Sequence, residues 1–167
     1  DIFVRTYDKN KEFTKSFAFR MKTDSDPKLT RNTGFHERTS KLTRNFVDAR
    51  GFWLPNDYTK HGLNNEYTAC REKAVVIDLS SLRKFEILGP DAEELMNYTL
   101  TRNIKKLSVG QVVYSSMCYE NGSMFDDGTL LKMSDHGFRW ICGDEYAGEW
   151  LKEQAKKKNY KVFIKNS

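Results

Sequence analysis

One dipeptide, Asn121-Gly122, restricts the folding of this 167-residue chain more than any other feature. It separates two runs, 111–119 and 124–133, that are rich in β-branched, aromatic and other apolar residues. An Asn-Gly pair between such runs is the strongest short-range signal for a β-hairpin, because both residues tolerate the positive φ of a tight turn. The sequence therefore predicts an antiparallel sheet in which these two strands are neighbours.

The elements around this hairpin alternate in a way that is typical of an α+β domain. Residues 84–88, 138–142 and 160–164 have the composition of strands. Helices are predicted over 91–100 and 144–158, each with acidic residues in its first turn, where the helix dipole favours them. The resulting order, β-α-β-β-β-α-β, is a ferredoxin-like split β-α-β pattern with one additional strand. We therefore expect an antiparallel sheet with helices on one face.

The chain ahead of this domain is basic and has weak hydrophobic periodicity. Residues 1–50 contain 12 Lys and Arg against 7 Asp and Glu, which accounts for the whole net charge of +5. We therefore divide the chain into a basic, loop-rich segment with one short helix (1–50) and a folded domain (51–167). A solvated segment explains the basic charge more simply than a nucleic-acid-binding arm does. A further strand is predicted at Ala74–Asp78, where the sequence reads AVVID.

Composition also limits the compartment and the class of site. No apolar run approaches the roughly 18 residues that a membrane span needs, so no membrane association is expected. The three cysteines, Cys70, Cys118 and Cys142, are odd in number and far apart. They predict free thiols in a reducing compartment rather than a disulfide framework. No pair of residues has the spacing of zinc ligands, so we expect no metal site.

A two-residue turn at Asn121-Gly122 would fix which residues of the two hairpin strands lie opposite each other. Side chains alternate between the faces of a strand, so the register also decides which residues share a face. It places Asp127 on a largely apolar face and directs Asp126 to the other face, with Lys132. The residues predicted to share the face of Asp127 are Tyr114, Ser116, Cys118, Phe125, Thr129, Leu131 and Met133. The predicted pairs are Glu120 with Ser123, Cys118 with Phe125, Ser116 with Asp127 and Tyr114 with Thr129.

Asp127 is the candidate functional residue on that face. A carboxylate among apolar residues is costly unless it has a partner or a chemical task, and burial would suit it to proton transfer or to binding an N–H donor. Tyr114 is its diagonal neighbour at about 7–8 Å. The alternative is a half-exposed Asp127 that hydrogen-bonds to Ser116 or to a turn. A bulge at Gly128 would also change the register.

Several short motifs follow one another in a fixed order over residues 51–167. They are GFWLP at 51–55, Glu66, Arg71, VVIDLS at 75–80, FEILGPDA at 85–92, Tyr114 and NGSMFDD at 121–127. In this order and spacing they resemble the N-terminal part of the glycine-cleavage T-protein family of tetrahydrofolate-dependent aminomethyltransferases. That family also includes folate-dependent demethylases and the folate domains of sarcosine and dimethylglycine dehydrogenases.

The resemblance implies an enzyme of one-carbon metabolism that transfers a one-carbon unit from an aminomethyl or methyl donor to N5 of tetrahydrofolate. It assigns the catalytic carboxylate beside the folate to Asp127, and further folate contacts to Tyr114 and Leu82. The implied partners are folate and a small methylated amine or a lipoyl-carried aminomethyl donor. A lipoyl carrier protein or a missing C-terminal half would complete the site. The implied location is the cytoplasm, or the mitochondrial matrix in a eukaryote.

The chain also departs from the family pattern. Ser81 stands where many members carry His, so contacts to the one-carbon donor are expected to differ. Family members are considerably longer, which predicts that this chain is the N-terminal part of a longer protein. The alternative functions are a ferredoxin-like RNA-binding module and a non-catalytic scaffold. The RNA-binding alternative is weaker, because the central strands lack the aromatic pattern of such modules and Asp127 would repel phosphate.

Overall fold

The computed structural model of the protein describes residues 30–58 and 60–167. They belong to two compact units, the first ending at Ser81 and the second comprising Leu82–Ser167. Together they contain helices and antiparallel sheet, so the expected α+β class is confirmed. The predictions for residues 1–29 lie outside the described residues.

The elements of the first unit are β1 (Arg31–Asn32), α1 (His36–Thr39), β2 (Phe46–Ala49), β3 (Phe52–Pro55) and α2 (Gly62–Glu72). Its strands form a small sheet in the order β1-β3-β2. Strand β3 runs parallel to β1 and antiparallel to β2, and the β2–β3 turn uses positive φ at Arg50 (53°) and Gly51 (80°). Residue 50, the expected end of the basic segment, therefore lies within a hairpin turn, and the division of the chain at this residue stays a prediction.

The strand predicted at Ala74–Asp78 is wrong. The segment lies between α2 and the second unit, and no strand pairs with it among the described residues. Its apolar side chains are exposed, Val76 by 94%. Asp78 anchors the end of the segment, where its Oδ2 accepts a hydrogen bond from the Thr33 hydroxyl at 2.6 Å. β-branched composition favours a strand only where a neighbouring strand supplies hydrogen bonds and packing.

The second unit follows the predicted order β-α-β-β-β-α-β, which is confirmed. Its elements are β4 (Arg83–Leu88), α3 (Ala92–Thr99), β5 (Val112–Cys118), β6 (Met124–Ser134), β7 (Gly137–Cys142), α4 (Tyr146–Lys158) and β8 (Phe163–Asn166). A short 3-10 helix at Ile104–Lys106 follows α3. The five strands form one sheet in the order β5-β6-β7-β4-β8, and every neighbouring pair is antiparallel.

The two α-helices of this unit, α3 and α4, pack on the same face of the sheet. One row of the register, Phe85–Trp140–Leu130, is buried beneath them. The predicted apolar stripe of α4 packs against this row. The residues of that stripe, all buried, are Ala147, Trp150, Leu151 and Ala155. The opposite face of the sheet is called the outer face below.

Strand β8 begins three residues later than predicted, because the preceding backbone donors are used elsewhere. Asn159 ends α4 in the left-handed region, with φ 56°. The N–H of Tyr160 then donates to the carbonyl of Ala155, and that of Lys161 to Asp91 Oδ2 at 2.7 Å.

The longest helix in the described part of the chain has 13 residues, and none there is long and apolar enough to cross a bilayer.

We predict that Gly148→Ala destabilises the second unit, although alanine favours a helix more than glycine does. A Cβ at residue 148 would lie 2.3 Å from the ring of Phe85, which is buried in the core on strand β4. Overpacking of this kind costs about 1–3 kcal/mol, which exceeds the gain in helix propensity. Urea unfolding measures the change. Glu153→Ala, at an exposed position of the same helix, is the matched control and should leave the midpoint nearly unchanged; an equal response of both variants would contradict the close packing.

Candidate functional site

The turn of the central hairpin differs from the two-residue turn expected from Asn121-Gly122. Tyr119 lies opposite Ser123, since its N–H donates to the Ser123 carbonyl at 2.8 Å. The loop therefore has three residues, and Gly122 adopts a positive φ of 85°. Loops of this length with glycine at the left-handed position are the next commonest hairpin connections. The predicted pairing of Glu120 with Ser123 is wrong by one residue.

A β-bulge at Phe125 cancels this shift. Cys118 pairs with Met124 instead of Phe125, and Met117 pairs with Asp126. Phe125 is thus the additional residue of β6, and beyond it the predicted register returns. The bulge lies at Phe125 and not at Gly128, where we had considered one. The predicted pairs Ser116 with Asp127 and Tyr114 with Thr129 are confirmed.

Phe125 therefore does not share a face with Asp127, contrary to the prediction. Its ring packs edge-on against Trp150 of α4, with ring centres 5.7 Å apart. Cys118 stays on the face of Tyr114 and Ser116, as predicted, because the additional residue lies in β6 and side chains alternate along β5. Next to Trp150 and Gln154 lies a cavity of about 190 Å³. Among the described residues, the carboxylate that lines this cavity is that of Glu120, which is paired with Lys157 at 2.8 Å.

Asp127 and Tyr114 meet on the outer face of the sheet. The hydroxyl of Tyr114 donates a hydrogen bond to Oδ2 of Asp127, as the predicted diagonal arrangement allows. Asp127 is exposed, and 57% of Tyr114 is accessible. The desolvation expected for Asp127 on an apolar face therefore does not arise, because the helices cover the other face. The half-exposed alternative is closer to the observed site, with Tyr114 in place of Ser116 as the partner.

The backbone behind Tyr114 is held by the chain that follows α3. The guanidinium Nε of Arg102 donates to the Tyr114 carbonyl at 3.2 Å, and the N–H of Thr101 donates to the Ser116 carbonyl at 3.2 Å. Together with a β-bridge between Leu100 and Met117, these contacts lie along β5, which is an edge strand of the sheet in the part of the chain that the structure describes. Sequence reasoning missed them, because nothing in the local pattern shows which strand lies at the edge.

Leu82 lies in the same row of the sheet as Asp127. It directly precedes Arg83, which pairs with Cys142, and Cys142 pairs with Gly128, the residue after Asp127. Two inter-strand spacings of about 4.8 Å separate the backbones of residues 82 and 127. Leu82 is half-buried, and its carbonyl accepts a hydrogen bond from Lys84 Nζ at 2.8 Å. The structure thus brings Tyr114 and Asp127 into contact and places Leu82 two strands away.

Asp126 occupies the opposite face, as predicted, with Lys132. Only 8% of Asp126 is exposed, and its carboxylate faces the loop between β7 and α4. Lys132 is equally buried and pairs with Glu93 of α3 at 2.6 Å. Among the described residues no group of three or more His, Cys, Asp or Glu side chains is arranged to hold a metal ion.

Comparisons with known proteins agree with this architecture. The chain belongs to the family described as the GCVT N-terminal domain, which matches residues 35–167. The resemblance to the glycine-cleavage T-protein family is thereby confirmed. The chain is 50% identical over 167 residues to a trimethylamine-oxide aldolase of Ruegeria pomeroyi and 34% identical over 111 residues to an aminomethyltransferase of Symbiobacterium thermophilum.

A solved structure shares the fold. The glycine cleavage system aminomethyltransferase T from Bartonella henselae superimposes with a TM-score of 0.74 at 23% identity, over 83% of this chain and 38% of that chain. The alignment with the aldolase covers all of this chain but 21% of the aldolase, and that with the Symbiobacterium aminomethyltransferase covers 66% and 29%. The chain therefore spans only a minor part of the length of these relatives.

We predict that Cys142 resists thiol reagents in the native protein. Burial, reinforced by the nearby Asp126 carboxylate, raises the pKa of the Cys142 thiol to about 12. The thiol therefore stays protonated at pH 9, and the thiolate is the reactive form. Cys70 is exposed and should be labelled first. Iodoacetamide labelling at pH 9 with peptide mapping measures this; labelling of native Cys142 as fast as Cys70 would contradict it, and urea should make the two equal.

Proposed function

We propose that this chain contributes the N-terminal domain of a tetrahydrofolate-dependent enzyme that transfers a one-carbon unit to N5 of tetrahydrofolate. Asp127 is the carboxylate beside the pterin, and Tyr114 and Leu82 contribute to the same surface. The observation that carries the proposal is the hydrogen-bonded pair of Tyr114 and Asp127 on the outer face of a GCVT-type sheet. The family resemblance assigns folate contacts to these two residues.

The chemistry of this pair fits the pterin ring of tetrahydrofolate. A carboxylate accepts hydrogen bonds from N–H donors, and the pterin offers adjacent ring N–H and amino groups. The exposed ring of Tyr114 provides a flat surface beside the carboxylate. Its hydroxyl occupies one lone pair of Oδ2, and within residues 30–58 and 60–167 no other side chain donates to the Asp127 carboxylate, which leaves acceptor sites to orient a ligand. Tetrahydrofolate supplies the nucleophilic N5 that receives the one-carbon unit.

Within this site the residues of the chain orient and stabilise. Asp127 orients the pterin by accepting hydrogen bonds from the N–H groups of the pterin. It also stabilises the positive charge that develops on the amine of the donor. Tyr114 holds the Asp127 carboxylate in one rotamer, which reduces the entropy lost on binding. Leu82, two strands away in the same row, offers an apolar contact at the margin of the surface. Ser81 stands where many family members carry His, so the contacts of this chain to the one-carbon donor differ from theirs.

The donor is a methylated amine or an aminomethyl group on a lipoyl carrier. The 50% identity to a trimethylamine-oxide aldolase makes methylated amine oxides the first class to test as donors. The similarity to aminomethyltransferases favours a lipoyl-carried group as the second. The proposed location is the cytoplasm, or the mitochondrial matrix of a eukaryote. It accords with three cysteines that carry no disulfide.

Calorimetry of (6S)-tetrahydrofolate with this chain, under anaerobic conditions, tests the proposal. We expect saturable binding that Asp127→Ala weakens about tenfold or more, equivalent to roughly 1.4 kcal/mol. Tyr114→Phe should weaken binding less, because it removes only the hydroxyl that orients the carboxylate. Asp135→Ala, in the exposed turn between β6 and β7, is the matched control and should bind as the wild type does.

Two results would contradict the proposal. One is the absence of saturable binding by the intact chain; the other is equal affinity of the wild type and Asp127→Ala. Binding of single-stranded RNA with a steep dependence on salt concentration, in place of folate, would favour the RNA-binding alternative. Folate binding without one-carbon transfer from any donor by the full-length protein would favour a scaffold.

A further inference from the structure

The carboxylate of Asp126 accepts hydrogen bonds from three backbone N–H groups of the protein. Oδ1 accepts the N–H of Asp127 at 2.9 Å and that of Gly143 at 3.3 Å, while Oδ2 accepts the N–H of Asp144 at 3.1 Å. The thiol of the neighbouring Cys142 donates to the carbonyl of Asp144 at 3.5 Å, in the same loop. Only 8% of Asp126 is exposed. A buried carboxylate in such a set of donors has one well-defined position, because moving it leaves several polar groups without partners.

These contacts join the backbone at Asp127 to a distant part of the chain. Gly143 and Asp144 lie 17 and 18 residues beyond Asp126, in the loop that leads from β7 into α4. The N–H of Asp127 belongs to the peptide unit between residues 126 and 127. Holding that N–H limits rotation of the peptide unit and therefore the direction in which the Asp127 side chain leaves the sheet.

We propose that Asp126 is a positioning residue for Asp127. From the helix-covered side of the sheet it fixes the peptide unit that carries Asp127. The Asp127 carboxylate, on the outer face, is thereby kept within reach of the Tyr114 hydroxyl and of a bound pterin. The folate part of this inference rests on the proposed function; the effect on the Tyr114 contact does not.

An acid is required at residue 126 for this role. Both oxygens of a carboxylate accept hydrogen bonds, whereas asparagine offers one acceptor oxygen and an NH₂ group that would face an N–H donor. Asp126→Asn preserves the shape of the side chain and removes this acceptor set. It therefore tests positioning with little change in volume.

The first experiment is a double-mutant cycle on tetrahydrofolate affinity, measured by calorimetry with the full chain. We expect Asp126→Asn to weaken binding about tenfold, in line with the loss of hydrogen bonds to a charged acceptor. In the Asp127→Ala background it should have no further effect, because a residue that acts through another is non-additive with it. Equal effects in both backgrounds would overturn the proposal. Absence of binding by the wild type would instead count against the proposed function.

The second experiment is independent of folate. The ¹³C resonance of Tyr114 Cζ, assigned with Tyr114→Phe in tyrosine-labelled protein, reports on the hydrogen bond from its hydroxyl to Asp127. We expect Asp126→Asn to move this resonance towards its position in Asp127→Ala. An unchanged resonance would overturn the proposal even if folate does not bind. If Asp126→Asn does not fold, Asp126→Glu, which keeps the carboxylate, replaces it in both experiments and should give a smaller change of the same sign.

Asp144→Asn is the matched control for a purely structural role. The Asp144 carboxylate also accepts a main-chain N–H in this loop, that of Tyr146 at 2.8 Å. This hydrogen bond does not involve Asp127, and the exchange alters the start of α4. We expect it to lower the urea midpoint while leaving both folate affinity and the Tyr114 resonance unchanged. If it weakens folate binding as much as Asp126→Asn does, general loosening of the loop explains the effect, and positioning by Asp126 is wrong.

Discussion

The covering of one sheet face by α3 and α4 is the constraint on which the second unit depends. The row Phe85–Trp140–Leu130 lies beneath the helices with at most 3% of any side chain exposed. Burying such side chains contributes about 1.5–3 kcal/mol each. Since side chains alternate along a strand, the residues between the buried ones must face outwards. The burial of Leu130 thus directs Asp127 to the outer face of the sheet.

Much of this arrangement is visible in the sequence, because it depends on local patterns. The order of elements from residue 84 and the apolar stripe of α4 are both found in the structure. The pairing of Ser116 with Asp127 is also correct, although two errors cancelled to make it so. The three-residue loop and the bulge at Phe125 each shift the strand by one residue, in opposite directions. Alternation alone cannot locate a bulge, and the inward position of Phe125 was therefore missed.

The remaining errors share one physical cause, which is dependence on contacts between distant residues. Ala74–Asp78 has strand composition, yet no strand pairs with it in the part of the chain that the structure describes. The carboxylate of Asp126 was placed on the correct face, but its partners at Gly143 and Asp144 belong to another loop. Tyr114 and Asp127, by contrast, lie in neighbouring strands of one hairpin. Their contact follows from the pleat, and the family resemblance selected the same two residues.

The central hairpin also limits how the length of this region can vary among related proteins. The loop after Tyr119 and the bulge at Phe125 are two irregularities whose shifts in register compensate each other. Gain or loss of one residue at either place alone would slip β5 against β6 and exchange the faces of every side chain beyond it. Tyr114 would then turn towards the helices and Ser115 towards the outer face. Insertions and deletions here should therefore be inherited in compensating pairs, so an alignment that treats the two positions independently would mismatch the site.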